Sequence, residues 1–269
     1  METADFIGLL VPVTYLIMWA FEKIRPARSF PPIRGWAFIG LGFLIMMGTI
    51  STVVPLAIPA DWLAQHRLLD GTGLGVIGGT LVGYLVVSLL NYAWHRSTHT
   101  FPPLWRAFHQ LHHSPQRLDI PGAVVFHPLD IAVYVALSTI TATFVLGLDP
   151  IAAALTGYVA AFYSLFQHWN IRTPRWLGYL IQRPEAHCVH HRRGLHGYNY
   201  GDLPLWDILL GTFRNPKTFQ GEVGFSDRSA RRTGAMLALV DVNADEYGAG
   251  SRGVSPANAP VVGRAAAIA

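Results

Sequence analysis

LGVIGGTLVGYLVVSLLNYAWHRSTH, residues 74–99, decides how the rest of the chain is read. From Leu74 to Trp94 no residue carries a charge, and the run meets the length of about 20 apolar residues that a helix needs to cross a bilayer. No breaker separates this run from His95 and His99, so one helix is expected to carry both imidazoles at a membrane surface. Their i, i+4 spacing puts them on one helical face.

Further runs of the same kind lie on either side. Trp36 to Ile58 and Ile131 to Leu148 are uncharged, Ile151 to Gln167 follows after only Asp149 and Pro150, and Phe6 to Phe21 is a shorter fifth run. Hydrophobic residues make up 51% of the 269 and charged residues 13%, against about a quarter charged in a soluble domain, which argues against a soluble globule. The expected fold is an all-α membrane protein with four to five transmembrane helices and a cytoplasmic helical cap. Glu2 and Asp5 precede the first run where a signal peptide would be basic, so that run is expected to be retained. Asp149-Pro150 reads as a tight turn that makes a hairpin of 131–148 and 151–167. The organisation expected is N-terminal transmembrane helices over 1–94, a histidine-rich catalytic region over 95–217 that includes the 127–168 hairpin, and a cytoplasmic C-terminal tail over 218–269. The Gly/Ala/Pro/Ser-rich end of that tail is expected to be disordered.

A net charge of +4 raises the question of nucleic acid, but the basic residues follow topology instead. Lys23, Arg25, Arg28 and Arg34 lie between the first two runs, while the 59–73 loop holds Arg67 alone. By the positive-inside rule the 22–35 loop, the 95–123 segment and everything after 167 are cytoplasmic. Contact with anionic lipid headgroups, not nucleic acid, is the expected role of the charge.

Three clusters share one spacing. HRSTH holds His95 and His99; HQLHH holds His109, His112 and His113; HCVHH holds His187, His190 and His191. Random placement of 12 histidines would give roughly 0.02 occurrences of His with His at both +3 and +4, and the chain has two. Clustered imidazole is metal-ligand chemistry, and so many rings exceed the needs of one four-coordinate ion, so at least two ions are expected. The second cluster is expected on a short helix over 104–114 and the third on a helix begun by Pro184. His168, ending a hydrophobic run in FQHWN, is a further candidate ligand; His127 and His196 are candidates to ligate or to support. HCVHH lacks the Glu of a zinc peptidase motif, Cys188 points away from the ligand face, and His66 falls on the opposite loop. The apolar runs hold no ionisable group, which argues against a transporter.

The order HxxxH, HxxHH, a lone His at a hydrophobic helix end, then HxxHH followed by NYGDLPLWDILLGTF resembles the fatty acid hydroxylase and sterol desaturase superfamily of membrane non-haem di-iron enzymes. The resemblance covers about His95 to Phe213. It implies that His95, His99, His109, His112, His113, His168, His187, His190 and His191 hold two Fe ions, with zinc able to load in a recombinant sample. It further implies that Asn199, Tyr200, Gly201, Trp206 and Asp207 form a signature in which Asn199 or Asp207 could support ligands. Arg172 stands where a second lone His would follow His168, leaving His127 or His196 to complete the set. The implied activity is O2-dependent hydroxylation or desaturation of an apolar lipid such as a sterol or fatty acyl chain. Electrons would come from a separate reductase, ferredoxin or cytochrome. The competing readings are a membrane zinc-dependent hydrolase and a metal-binding protein without redox chemistry. Phe162, Tyr163 and Phe166 are candidate substrate lining, with simple helix packing as their alternative.

Overall fold

The computed structural model describes residues 3–243, and among these it is all helix and loop, with one isolated bridge pairing Arg192 and Val223. The end of the expected tail, from residue 244 onward, lies outside the described residues. Among the described residues, four helices are long and apolar enough to cross a membrane: α1 (Phe6–Ile24), α2 (Trp36–Leu56), α3 (Thr72–Thr100) and α4 (Pro128–Val145). Alongside them runs α5 (Pro150–His168), and α6 (Pro184–His190) and α7 (Pro204–Leu209) are short. The shortest apolar run therefore belongs to a full-length span. The 151–167 run is not among the four, because Tyr158, Tyr163, Ser164, Gln167 and His168 dilute the hydropathy of α5.

The helices also outrun the uncharged stretches that mark them. α1 extends through Glu22 and α4 begins before Asp130, so the expectation of spans free of acids fails at the histidine end. Both acids are tied down. Glu22 accepts hydrogen bonds from the backbone N–H of Ile120 at 3.1 Å and of Asn170 at 3.3 Å, joining the end of α1 to the turn after the second histidine cluster and to the chain leaving α5.

Small residues let α3 and α5 approach closely. A Cβ on Gly79 would stand 2.9 Å from Ala152 Cβ, and one on Gly83 would stand 2.5 Å from Thr156 Oγ1. Paired small residues four apart are a common way for membrane helices to bring their backbones together, and here the pairing sets α3 and α5 side by side. At the far end Asp149 caps α5 by accepting from the N–H of Ile151 at 2.8 Å, with Pro150 at the first helical position. Leu68 N–H bonds Phe144 O and Gly71 N–H bonds Leu146 O, both at 2.8 Å, so the loop before α3 closes on the hairpin turn.

Only 11% of the α2 span is buried, and Phe38, Ile45 and Leu56 are exposed, as are Ile17 of α1 and Ile77 and Leu81 of α3. Large apolar side chains projecting outward along spans are what a lipid solvent requires. Inside, Tyr15, Met18, Leu44, Ile120, Leu165 and Phe166 form one core cluster. Beyond the spans, Phe225, Met236 and Val242 from the 218–243 segment pack with Trp105, Leu111 and Val125. That segment covers the second histidine cluster.

Candidate metal centre

Each histidine cluster reaches the centre on a different local structure. His95 and His99 ride the last turns of α3, which continues unbroken from the apolar span. The second cluster departs from the expected helix over 104–114: Pro102 to Leu104 make one turn, Trp105–His109 is a π-helical turn, and His112 and His113 follow in turns. A π turn adds a residue to the repeat and is often found at functional sites, because it re-aims the side chains after it. α6 starts at Pro184 and ends at His190, which puts His191 at its C-terminal cap. His168 is the last residue of α5.

These elements bring all nine of the predicted histidines together, every one of them buried. They divide into two groups that could each hold a metal ion: His95, His99, His109, His113 and His190 in one, and His112, His168, His187 and His191 in the other. The two HxxHH clusters straddle both groups in opposite senses. His109 and His113 join the five-membered group while His112 crosses to the four; His187 and His191 join the four while His190 crosses to the five.

The hydrogen bonds assign the ring protons. His95 Nδ1 donates to Tyr200 O at 2.7 Å, His109 Nδ1 to Asp130 Oδ2 at 2.8 Å and His190 Nδ1 to Tyr198 O at 2.8 Å. His112 Nδ1 donates to Val125 O at 3.2 Å and His168 Nδ1 to Ser164 O at 2.6 Å. A neutral ring that donates from Nδ1 presents a bare lone pair at Nε2. His112 Nε2 and His168 Nε2 are thus two lone pairs facing each other at 3.1 Å, and His187 Nε2 stands 3.1 Å from the same His168 atom. In the other group His190 Nε2 lies 3.1 Å from His113 Nε2, while the Nε2 atoms of His95 and His109 are buried with no hydrogen-bond partner.

Each unsatisfied buried acceptor costs about 1–3 kcal/mol, and opposed lone pairs add repulsion. A shared cation removes both penalties. Separations of 3.1 Å are what two nitrogens at about 2.1 Å from one ion span near a right angle, so the donor set fits transition-metal ligation. Burial also pushes the His109 pKa down to about 3 and holds His112, His113, His187, His190 and His191 well below the ordinary value, with neighbouring imidazoles adding to the effect in the last five. Neutral imidazole is the ligating form.

The other sequence candidates fall outside both groups. His127 caps α4: its Nδ1 accepts from Leu129 N–H at 3.2 Å and its Nε2 donates to Leu237 O at 3.3 Å. His196 stands against the five-histidine group, its ring centroid 4.9 Å from that of His113 and 5.6 Å from that of His99. Asn199, at φ 58°, clamps backbone by donating to Ala186 O and Arg214 O and accepting from Arg214 N–H. Asp207 accepts from the N–H of Tyr200 at 2.9 Å and of Gly201 at 2.8 Å, so it reaches the centre one step removed, by holding the residue whose carbonyl orients His95. Trp206 packs on α3 through a bond from its Nε1 to Ser88 Oγ. Cys188 is buried with Leu118 and Val223, away from the ligand atoms, and His66 stacks on Trp62 near the opposite end of the spans.

The sequence reading missed Asp130. It is fully buried, accepts from His109 and from Trp94 Nε1 at 2.8 Å, and is the one carboxylate bonded to a ring of either group among the described residues. An acid one residue outside an uncharged run was its only sequence signal.

A cavity of about 950 Å³ runs between α1, α2, α4 and α5, from apolar residues such as Leu9 and Pro55 to His95, His109, His112, His168 and His187. Phe162, Tyr163 and Phe166 do not line it. Phe162 and Phe166 pack in the core cluster and Tyr163 stacks on Tyr84, while the opposite, small-residue face of α5 (Gly157, Ala160, Ala161, Ser164) forms the wall.

Comparison with known proteins agrees with this architecture. The fatty acid hydroxylase family model matches residues 80–212, which takes in every histidine of both groups. Ornithine lipid hydroxylase OlsE from Rhizobium tropici is 35% identical over 84% of this chain and 72% of its own length. The very-long-chain aldehyde decarbonylase GL1-9 of Oryza sativa is 31% identical over 49% of this chain and 53% of its own length. No solved structure matches. With a relative this similar across most of both sequences, and with the model's match centred on the histidine clusters, the chain belongs to the fatty acid hydroxylase family.

Proposed function

We propose that the protein is a membrane-bound di-iron oxygenase that hydroxylates a lipid, drawing O2 and electrons from outside the chain. The observation that carries this reading is the pair of imidazole sets whose Nε2 lone pairs oppose one another within each set, at one end of a long, mostly apolar cavity. Iron held there would supply the dioxygen chemistry that side chains lack for breaking an aliphatic C–H bond. The family membership and the similarity to a lipid hydroxylase of Rhizobium tropici support a lipid as the substrate.

The chain's own contribution is positioning. His95, His109, His112, His168 and His187 line the cavity, so a lipid carbon seated there lies beside both groups. Asp130 and the carbonyls of Tyr198, Tyr200, Val125 and Ser164 hold five rings in one tautomer. The apolar wall excludes water, which keeps the oxidising chemistry on the substrate.

An all-imidazole donor set also accepts zinc, so metal and oxygen are measured together. Protein purified from iron-supplied cells is expected to hold about two irons per chain and to add one oxygen atom, drawn from ¹⁸O2, to a lipid when given a reductant. Turnover that ignores O2, or incorporation of oxygen from water, would replace the oxygenase by a hydrolase. The histidine end is proposed to face the cytoplasm. A membrane-impermeant thiol reagent should then label a cysteine placed at Gln65 from outside and one placed at Arg193 only after the inside is opened; native Cys188 is buried. The reverse pattern would invert the topology.

A further inference from the structure

The cavity wall is apolar or neutral along nearly its whole length, with one exception. Among the described residues that line it, Asp202 is the single carboxylate, and neither Lys nor Arg appears. Asp202 sits at the histidine end. Its Oδ1 accepts from Gln167 Nε2 at 3.1 Å, and Gln167 precedes the ligand His168 on α5. Asn91, one helical turn before His95 on α3, also bonds its carboxylate. The backbone is pinned as well, since Asp202 O accepts from Gln182 N–H at 3.0 Å.

Two neutral amides leave a carboxylate with most of its acceptor capacity unmet and with no Lys or Arg of the cavity wall beside it. Asn91 Oδ1, beside it, is a further buried acceptor with no donor. A charge drawn out of water is costly unless it is paired, and burial accordingly pushes the Asp202 pKa up to about 7. What the lining side chains do not supply is a group with positive charge and several N–H donors.

Building on the lipid-hydroxylase reading of this cavity, we propose that Asp202 is its specificity-determining residue, pairing with an ammonium on the substrate, so that the substrate class is an amine-bearing lipid. The apolar chains of that lipid fill the remainder of the cavity. Because Asp202 shares its end of the cavity with the histidines, the oxidised carbon lies in or near the amine-bearing part of the molecule, not at a chain terminus.

The test is binding, measured without turnover on metal-loaded protein kept free of O2 and reductant. Hexadecylamine and N-acetylhexadecylamine compete for the purified protein in detergent, with occupancy read by native mass spectrometry and metal content read separately. Wild type is expected to prefer the amine by about tenfold or more, and Asp202→Asn to lose that preference while keeping its metal. Equal binding by wild type overturns the assignment, as does an Asp202→Asn protein that still prefers the amine. An Asp202→Asn protein that loses metal in step with the preference also overturns it, by making the carboxylate a partner of the ions. Should that variant not accumulate, the wild-type preference decides alone. Iron content and oxygen-dependent turnover are read in other experiments, so failure of the hydroxylase reading is distinguishable from failure of this one.

Discussion

The two histidine groups are built differently although they draw on the same clusters. The five-membered group takes four of its rings from His95 to His113, a nearly continuous piece of chain, and only His190 comes from far away. Three of its rings are oriented from behind, by Tyr200 O, Asp130 and Tyr198 O. The four-membered group joins His112 to His187 and His191 and needs His168 from the end of α5. Two of its rings are oriented, by Val125 O and Ser164 O, while His187 Nδ1 is buried without a partner. One group is assembled largely by local sequence, and it alone has a carboxylate, Asp130, behind one of its rings. The other exists only because the α4–α5 hairpin returns to the same surface.

That contrast can be broken most directly by removing one ring from each. His168→Ala takes a quarter of the smaller group and its link to α5, and is expected to cost about one ion per chain and roughly 100-fold or more in turnover, given what lost ligand support does to metal sites. His99→Ala, which removes a ring with no hydrogen-bond partner at either nitrogen, is expected to cost less on both measures. Equal losses in elemental analysis would show that the groups are equally fragile.

Asp130→Asn sharpens the comparison from the other side. It keeps the shape but removes the charge behind His109, and is expected to weaken metal binding by about 10- to 100-fold in the five-membered group alone. Sequential metal release under a chelator should therefore reverse its order, the five-membered group now emptying first.

Acid should affect both groups together. His109, His112, His113, His187, His190 and His191 have folded pKa values below that of an unfolded histidine, so between those values the unfolded chain binds more protons. Stability present above pH about 6.5 is then lost as pH falls. The Tm of metal-free protein is expected to drop between pH 7 and pH 5, and a flat profile would contradict the buried neutral rings.

Gly157→Leu is the mildest test and leaves both groups alone. A Cβ at Gly157 meets nothing within 4 Å and the residue lines the cavity, so the new side chain should fill substrate space without disturbing the fold. Lipid turnover is expected to fall severalfold with metal content unchanged; loss of metal would tie the cavity wall to the centre.

Much of this architecture was legible because it is written at short range. Bilayer-length apolar runs imply spanning helices whatever their neighbours, and His95-x3-His99 at the end of such a run places two rings without further information. His168 was legible from its position at a helix end. The π turn at Trp105–His109 was not, since adding one residue to a turn leaves no mark in spacing. Nor were the carbonyl partners of the rings, because any residue supplies a carbonyl. Phe162, Tyr163 and Phe166, candidates for lining or for simple helix packing by their place near the end of the last span, turn out to pack, and the cavity takes the face of the same helix that carries Gly157, Ala160, Ala161 and Ser164.

The amino-acid sequence by itself determined the all-helical membrane class, the nine histidines and the family, because span length and i, i+3, i+4 spacing are properties of contiguous chain. Only the tertiary structure decided how HQLHH and HCVHH split across two groups, that Asp130 braces His109, and that Asp202 is the single carboxylate among the described residues lining the cavity. Those depend on distances between atoms far apart along the chain, and such distances come into being only when α3, α4 and α5 pack.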